Sequence, residues 1–125
     1  MKALSFFLTI GLAALWSAKV TFCQDFTKVA PNSTKVLLEN DKVRVVEFWS
    51  KKGEKFGMHS HPNYVVYFLS DGKVKTTLPD GKNTETEAKA GTASWSEAVT
   101  HANENIGSSD VHGIVIELKT SEMKK

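Results

Sequence analysis

From Gln24 onward, short runs of β-branched and aromatic residues alternate with clusters of turn-forming residues. The runs are Lys35–Glu39, Val43–Trp49, Tyr64–Leu69, Val74–Leu78, Thr92–Trp95 and Val111–Lys119, and each is long enough for one strand. Asn40-Asp41, Lys52-Gly53, Ser70-Asp71-Gly72, Pro79-Asp80-Gly81 and Gly107-Ser108-Ser109-Asp110 punctuate them. Tyr64–Leu69 is apolar on both faces, which predicts a central, buried strand. Asp71-Gly72 predicts a tight hairpin into Lys73–Leu78, where Val74, Thr76 and Leu78 alternate with Lys73, Lys75 and Thr77. In Val111–Lys119 the alternation predicts Ile114, Ile116 and Leu118 inward, with Glu117 and Lys119 outward. No 3.6-residue stripe interrupts this pattern, so helix is expected only as a turn near the ends. The pattern predicts an all-β sandwich or barrel.

The first 23 residues follow a different rule. Lys2 precedes the uncharged, mainly apolar run Ala3–Trp16, and Lys19 closes it. Its 14 residues fall short of the about 20 that span a bilayer, so residues 1–23 read as an export signal peptide. Thr21 and Cys23 place small uncharged side chains where a cut before Gln24 requires them. A lipid anchor on Cys23 is the weaker reading, because Phe22 stands where that processing needs a small residue. The expected product is an exported protein, periplasmic or secreted, free of the membrane after cleavage. Both surplus basic residues, Lys2 and Lys19, lie in the signal, so residues 24–125 carry equal numbers of acidic and basic side chains. That balance argues against a nucleic-acid partner, which needs a lopsided positive field. About 100 residues suffice for one core and not for two, so residues 24–125 form a single domain. Cleavage after Cys23 also removes the sole cysteine, and with it any disulfide, thiolate metal site or cysteine nucleophile.

The chemistry concentrates in Gly57-Met58-His59-Ser60-His61-Pro62. Residues i and i+2 of a strand share a face, so His59 and His61 can aim two imidazoles at one point. Neutral imidazole is the commonest side-chain ligand for transition metals. His101, followed by Asn105, stands 40 residues further on, after Gly91 and a short strand. Two readings stay open: a metal centre, or histidines that merely satisfy one another inside the barrel.

Residues 57–72 and 91–105 resemble the two motifs of the cupin superfamily. His59 and His61 match the first motif's His-x-His, and Gly72 its closing glycine. Gly91, His101 and Asn105 match the glycine, histidine and asparagine of the second, and Lys73–Ala90 suits the two strands expected between them. The resemblance spans about residues 34–119. It implies a small β-barrel or jelly roll, and one divalent transition metal bound by His59, His61 and His101. Two departures stand out. The glutamate position of the first motif falls on Val65 or Val66, and Glu97-Ala98-Val99 replaces the Pro-x-Gly before the second-motif histidine. The resemblance still permits metal binding, since cupins of the cysteine dioxygenase type use three histidines alone. An all-imidazole shell favours iron, nickel, copper or zinc over magnesium and calcium. Pairing through edge strands and N-terminal segments, common among cupins, implies a homodimer.

Other residues are candidates for the surroundings of the site. His112 shares its predicted face with Ile114 and Ile116 and is expected inward, as a hydrogen-bonded histidine rather than a fourth ligand. Asn105 follows from the second motif. Tyr64, Tyr67, Phe68, Trp49 and Trp95 can line a pocket or simply fill the core. Glu97 and Glu104 are the carboxylates nearest His101 in sequence and the candidate general bases. Arg44 is the only arginine, so no further guanidinium offers itself as a substrate anchor. Three functions follow: a small metal-dependent oxygenase or isomerase, a non-catalytic small-ligand-binding module, or a structural or partner-binding domain with a decayed site. Intact-mass analysis of the exported protein is expected to show a chain beginning at Gln24; retention of residues 1–23 would refute the export reading.

Overall fold

The computed structural model describes residues 24–120; the segment read as a signal peptide, and Cys23 with it, lies outside them. One helical turn, α1 (Phe26–Val29), precedes nine strands among the described residues: β1 (Thr34–Glu39), β2 (Val43–Ser50), β3 (Lys55–His61), β4 (Tyr64–Phe68), β5 (Gly72–Thr77), β6 (Asn83–Ala88), β7 (Ala93–Ser96), β8 (Val99–Asn105) and β9 (Val111–Leu118). They form two antiparallel sheets, ordered β1-β2-β9-β4-β7 and β3-β8-β5-β6. The all-β expectation holds, with helix among the described residues confined to the one turn α1. All six runs of alternating or continuous apolar residues are strands.

Strands β6 (NTETEA) and β8 (VTHANEN) carry no apolar alternation, for opposite reasons. As a sheet edge, β6 needs only β5 for pairing, and Glu85 lies opposite Lys75 and bonds the neighbouring Lys73 at 2.7 Å. The inward positions of β8 are Val99, His101, Asn103 and Asn105, and the last three are polar because they face the functional interior.

The interior between the sheets is filled by Phe26, Val46, Phe48, Phe56, Tyr64, Val111 and Val115. Asp25 caps α1 by accepting the Thr27 N–H at 2.9 Å, which fixes the turn and drives Phe26 inward. There Phe26 meets Phe48 and Phe56 edge-on, at centroid distances of 6.3 and 5.6 Å. The helix packs on β1 and β3 and so closes one side of the barrel.

Two expectations of local geometry are corrected. Asp71-Gly72 does not turn a hairpin: β4 and β5 belong to different sheets, and the chain crosses between them there. Gly72 is required by close approach, because a Cβ would collide with the Val111 side chain. The hairpin lies one turn later, joining β5 to β6 through Pro79-Asp80-Gly81, with Gly81 at φ 88°. The faces of β9 are also exchanged. Val111, Gly113, Val115 and Glu117 point inward, whereas His112, Ile114, Ile116 and Leu118 point outward. Alternation misleads here because the five-stranded sheet is apolar on its outer face too: Leu38, Val45, Ile116, Val65 and Trp95 form one cross-strand row over all five strands.

Gly113 gives a test of this packing. A Cβ there would lie 2.7 Å from the Phe48 ring and 3.0 Å from the Tyr67 carbonyl, both held in place by the sheet. Gly113→Ala is expected to destabilise by about 1–3 kcal/mol in urea unfolding, as overpacking does. Gly57→Ala, whose Cβ meets only Val29 Cγ1 at 3.5 Å, is expected to cost far less.

Candidate metal centre

The three histidines come together through an irregularity in β3. Opposite β8, Phe56 pairs with Asn103 and His59 with His101, so β3 spends three residues where β8 spends two. The extra residue is a β-bulge at Gly57-Met58. Strict alternation from the inward Phe56 would send His59 and His61 to solvent; the bulge turns both inward. It also leaves the Gly57 carbonyl free to accept a hydrogen bond from His59 Nδ1 at 2.7 Å. Since a carbonyl only accepts, His59 carries its proton on Nδ1 and presents a bare Nε2. That Nε2 is buried without a hydrogen-bond partner.

His61 is oriented differently. Its Nδ1 meets Glu117 Oε1 at 2.7 Å, and the other carboxylate oxygen takes Arg44 Nε at 2.6 Å. Arg44 then reaches Asp25 with its second nitrogen, also at 2.6 Å. Asp25, Arg44, Glu117 and His61 thus form one chain from the helix cap to the imidazole cluster. Glu117 is only 2% exposed. Burial alone would raise its pKa, but the hydrogen bonds from His61 and Arg44 outweigh that and hold it below the usual carboxylate value. An ionised Glu117 fixes the His61 proton on Nδ1 and leaves Nε2 bare, its lone pair free to accept or to ligate. Carboxylate-to-imidazole bonds of this kind orient and strengthen metal-ligating histidines.

His101 completes the cluster, with ring centroids 4.8 Å from His59 and 5.3 Å from His61. One ring nitrogen from each of the three can be chosen so that all lie within 4.8 Å of one another. Burial is the main reason that protonation is disfavoured at His59, whose pKa falls to about 4, and at His101, which falls to about 3. Phe26 stacks on His59 at 4.7 Å and keeps water from its face. Beside the cluster lies a cavity of about 340 Å³, bounded by His61, His101, Phe68, Val74 and residues of β6 and β7.

No family model matches the sequence, and no curated protein matches it. Among solved structures the chain is similar to a cupin domain from Bordetella pertussis Tohama I, with a TM-score of 0.64 and 26% identity over 70% of this chain and 92% of that one. The fold is the cupin double-stranded β-helix. A conserved protein with a double-stranded β-helix domain from Klebsiella pneumoniae has a TM-score of 0.57 at 20% identity, covering 68% of this chain and 74% of that one. An RmlC-like cupin-family protein from Methanocaldococcus jannaschii also gives 0.57, at 16% identity, covering 69% and 78%.

The cupin frame locates the remaining candidates. Val66 lines the cavity and Val65 sits on the outer face, so neither brings a carboxylate to the histidines. Asn105 is buried and structural: it donates to the Ser50 and Ser109 carbonyls and accepts from Gly107 N–H, tying β8 to two loops. His112 is outside the barrel, contrary to expectation, stacked on Trp49 and bonded to Glu47 at 2.8 Å. Tyr67 is likewise on the outer face, whereas Tyr64 and Phe68 line the cavity. Trp95 lies at the cavity's edge, 53% exposed, and its indole donates to Glu97 at 2.8 Å. Glu104 bonds Lys75 on the outer surface of the four-stranded sheet. The residue that sequence reasoning missed is Glu117. Its signal was the register of β2 and β9, which sets the only arginine opposite it.

Three bare or cluster-facing imidazoles, one with a buried orphan nitrogen, suit a transition metal by donor chemistry and by position. Metal-free protein has a defined acid response. The unfolded chain binds protons at its histidines near pH 6.5, while folded His59 and His101 resist protonation until about pH 4 and 3. Stability is therefore expected to be full above about pH 6.5 and to fall as pH drops toward 4. The loss of Glu117 and Asp25 ionisation adds to the fall at lower pH. Denaturant titrations of chelator-treated protein check this, and a His59→Gln/His101→Gln double variant is expected to flatten the curve between pH 6.5 and 4.5.

Proposed function

We propose that this protein is a small metal-dependent cupin in which His59, His61 and His101 hold one divalent transition metal at the wall of a small-molecule cavity. The observation that carries the proposal is the buried, unpartnered Nε2 of His59 inside a three-imidazole cluster. An apolar interior does not leave such a lone pair unused without cost. When bound, a metal with three protein ligands supplies open coordination positions for a substrate or for dioxygen, the chemistry of an oxygenase or a Lewis-acid isomerase. The protein's own residues do the rest. Gly57 and Glu117 fix the tautomers of His59 and His61, Phe26 and the α1 turn exclude water, and the cavity positions the small molecule. Export is part of the proposal, supported by the Lys2–Trp16 segment.

A second reading, a non-catalytic binding module, is favoured by one observation. Apart from the imidazoles and the Tyr64 hydroxyl, whose pKa burial raises, the residues lining the cavity include no acid or base able to move a proton.

Metal analysis of chelator-treated and reloaded protein tests the proposal. Wild type is expected to bind about one equivalent of iron, nickel, copper or zinc and to gain thermal stability on binding. His59→Ala and His101→Ala are each expected to lose that binding while remaining folded by circular dichroism. Glu117→Gln keeps the shape but weakens the His61 bond, and is expected to lower metal affinity by about 10- to 100-fold. Retention of wild-type affinity in both histidine variants would refute the metal centre.

A further inference from the structure

We infer that two copies of this chain pair face to face through the outer surface of the five-stranded sheet, whatever the histidines bind.

The two sheets present opposite chemistry to the outside. On the four-stranded sheet the positions pointing away from the cavity carry a lattice of ion pairs. Lys73 bonds Glu85 at 2.7 Å, and Glu104 lies 2.9 Å from Lys75 and 3.8 Å from Lys55. Water satisfies such a surface. On the five-stranded sheet the row Leu38, Val45, Ile116, Val65 and Trp95 crosses every strand, and the next row adds Ile114 and Tyr67. This face is wet within one chain: Leu38 is 51% exposed, Trp95 53% and Tyr67 36%. Removing a contiguous apolar surface of this kind from water is the usual driving force for association.

Size and charge select a second copy as the occupant. Strands about 4.8 Å apart, rising about 3.3 Å per residue, make this face on the order of 500 Å² in projection. The relief of the side chains raises its accessible area toward the about 800 Å² that each partner contributes to a stable complex. The charges within it are already matched: Glu47 bonds His112 at 2.8 Å and stands opposite Lys35 of β1. The face therefore offers no net charge to recruit an acidic or basic partner, and none to repel its own copy. Two antiparallel sheets stack readily by their faces, and a twofold axis sets one patch against itself.

Other routes to pairing are used up or interrupted. The N-terminal residues are bound to their own barrel, where the Gln24 carbonyl accepts from Ser60 N–H at 2.9 Å and Asp25 bridges to the same residue. At the β1 edge, the register shift between Val36 and Leu38 interrupts strand addition. The β6 edge of the other sheet carries Glu85 and Glu87. Trp95 belongs both to the apolar face and to the edge of the cavity, so the partner copy rests beside the cavity mouth.

Analytical ultracentrifugation of the exported protein is expected to show a dimer with a Kd of about 1 μM or tighter. Tyr67→Glu sets like charges into the covered face and is expected to weaken the dimer at least about hundredfold, with the fold kept by circular dichroism. Glu87→Lys, on the other sheet, is expected to leave the Kd unchanged. A second readout needs no variant. In a chain beginning at Gln24 both tryptophans, Trp49 and Trp95, lie on this face, so diluting wild type to monomer is expected to shift their emission to the red. A monomer at every micromolar concentration overturns the inference. So does a dimer that tolerates Tyr67→Glu, one that Glu87→Lys weakens equally, or dissociation that leaves the emission unchanged. A monomer that retains residues 1–23 and already emits in the blue would assign the face to that segment, and overturns it too.

Discussion

The buried contact between Arg44 and Glu117 is the constraint on which the rest of this molecule depends. Neither group can sit in a barrel alone, since an unpaired buried charge costs several kcal/mol. Together they fix four elements at once. Their register locks β2 to β9 within the larger sheet. The outer reach of Arg44 to Asp25 holds the cap of α1, and thereby places Phe26 under the histidines. The inner reach of Glu117 crosses to the smaller sheet and sets the His61 ring. A core of valines and phenylalanines alone would close the barrel without aiming the His61 imidazole.

This arrangement changes the meaning of the valines at the usual carboxylate position. The negative charge has not left the neighbourhood; it stands one hydrogen bond further out, behind His61. Two carboxylates, Asp25 and Glu117, face one guanidinium there, so the cluster rests against a surplus of one negative charge. A dication held by neutral imidazoles would feel that surplus through the ring of His61 rather than by direct coordination.

Much of this was legible in the sequence, and the failures have a physical pattern. Strands with apolar alternation were readable, and so was the histidine set, because period-two spacing and the motif resemblance pointed to the same three side chains. The inside and outside of β9 were not. Ile114 and Ile116 look like core, yet they lie on an outer face that is itself apolar, while the interior takes Gly113 and Glu117. A glutamate in a strand reads as a solvent marker unless its partner is known, and that partner is 73 residues away. The same ambiguity put His112 and Tyr67 on the wrong face. The bulge in β3 left no mark beyond a glycine, although the site depends on it.

The bulge in β1 has a different consequence. Val36, Leu37 and Leu38 are all more than 40% exposed on a strand whose far side is unpaired among the described residues. Such an edge is a template on which another chain can lay its own strand, and repeated addition gives a fibre. Between Val36 and Leu38 the register against β2 shifts by one residue, which kinks the backbone and breaks the even row of donors and acceptors. Lys35 adds a charge that an incoming strand would have to desolvate. The irregularity therefore acts as a stop, allowing an apolar rim to stay exposed without seeding growth along the sheet.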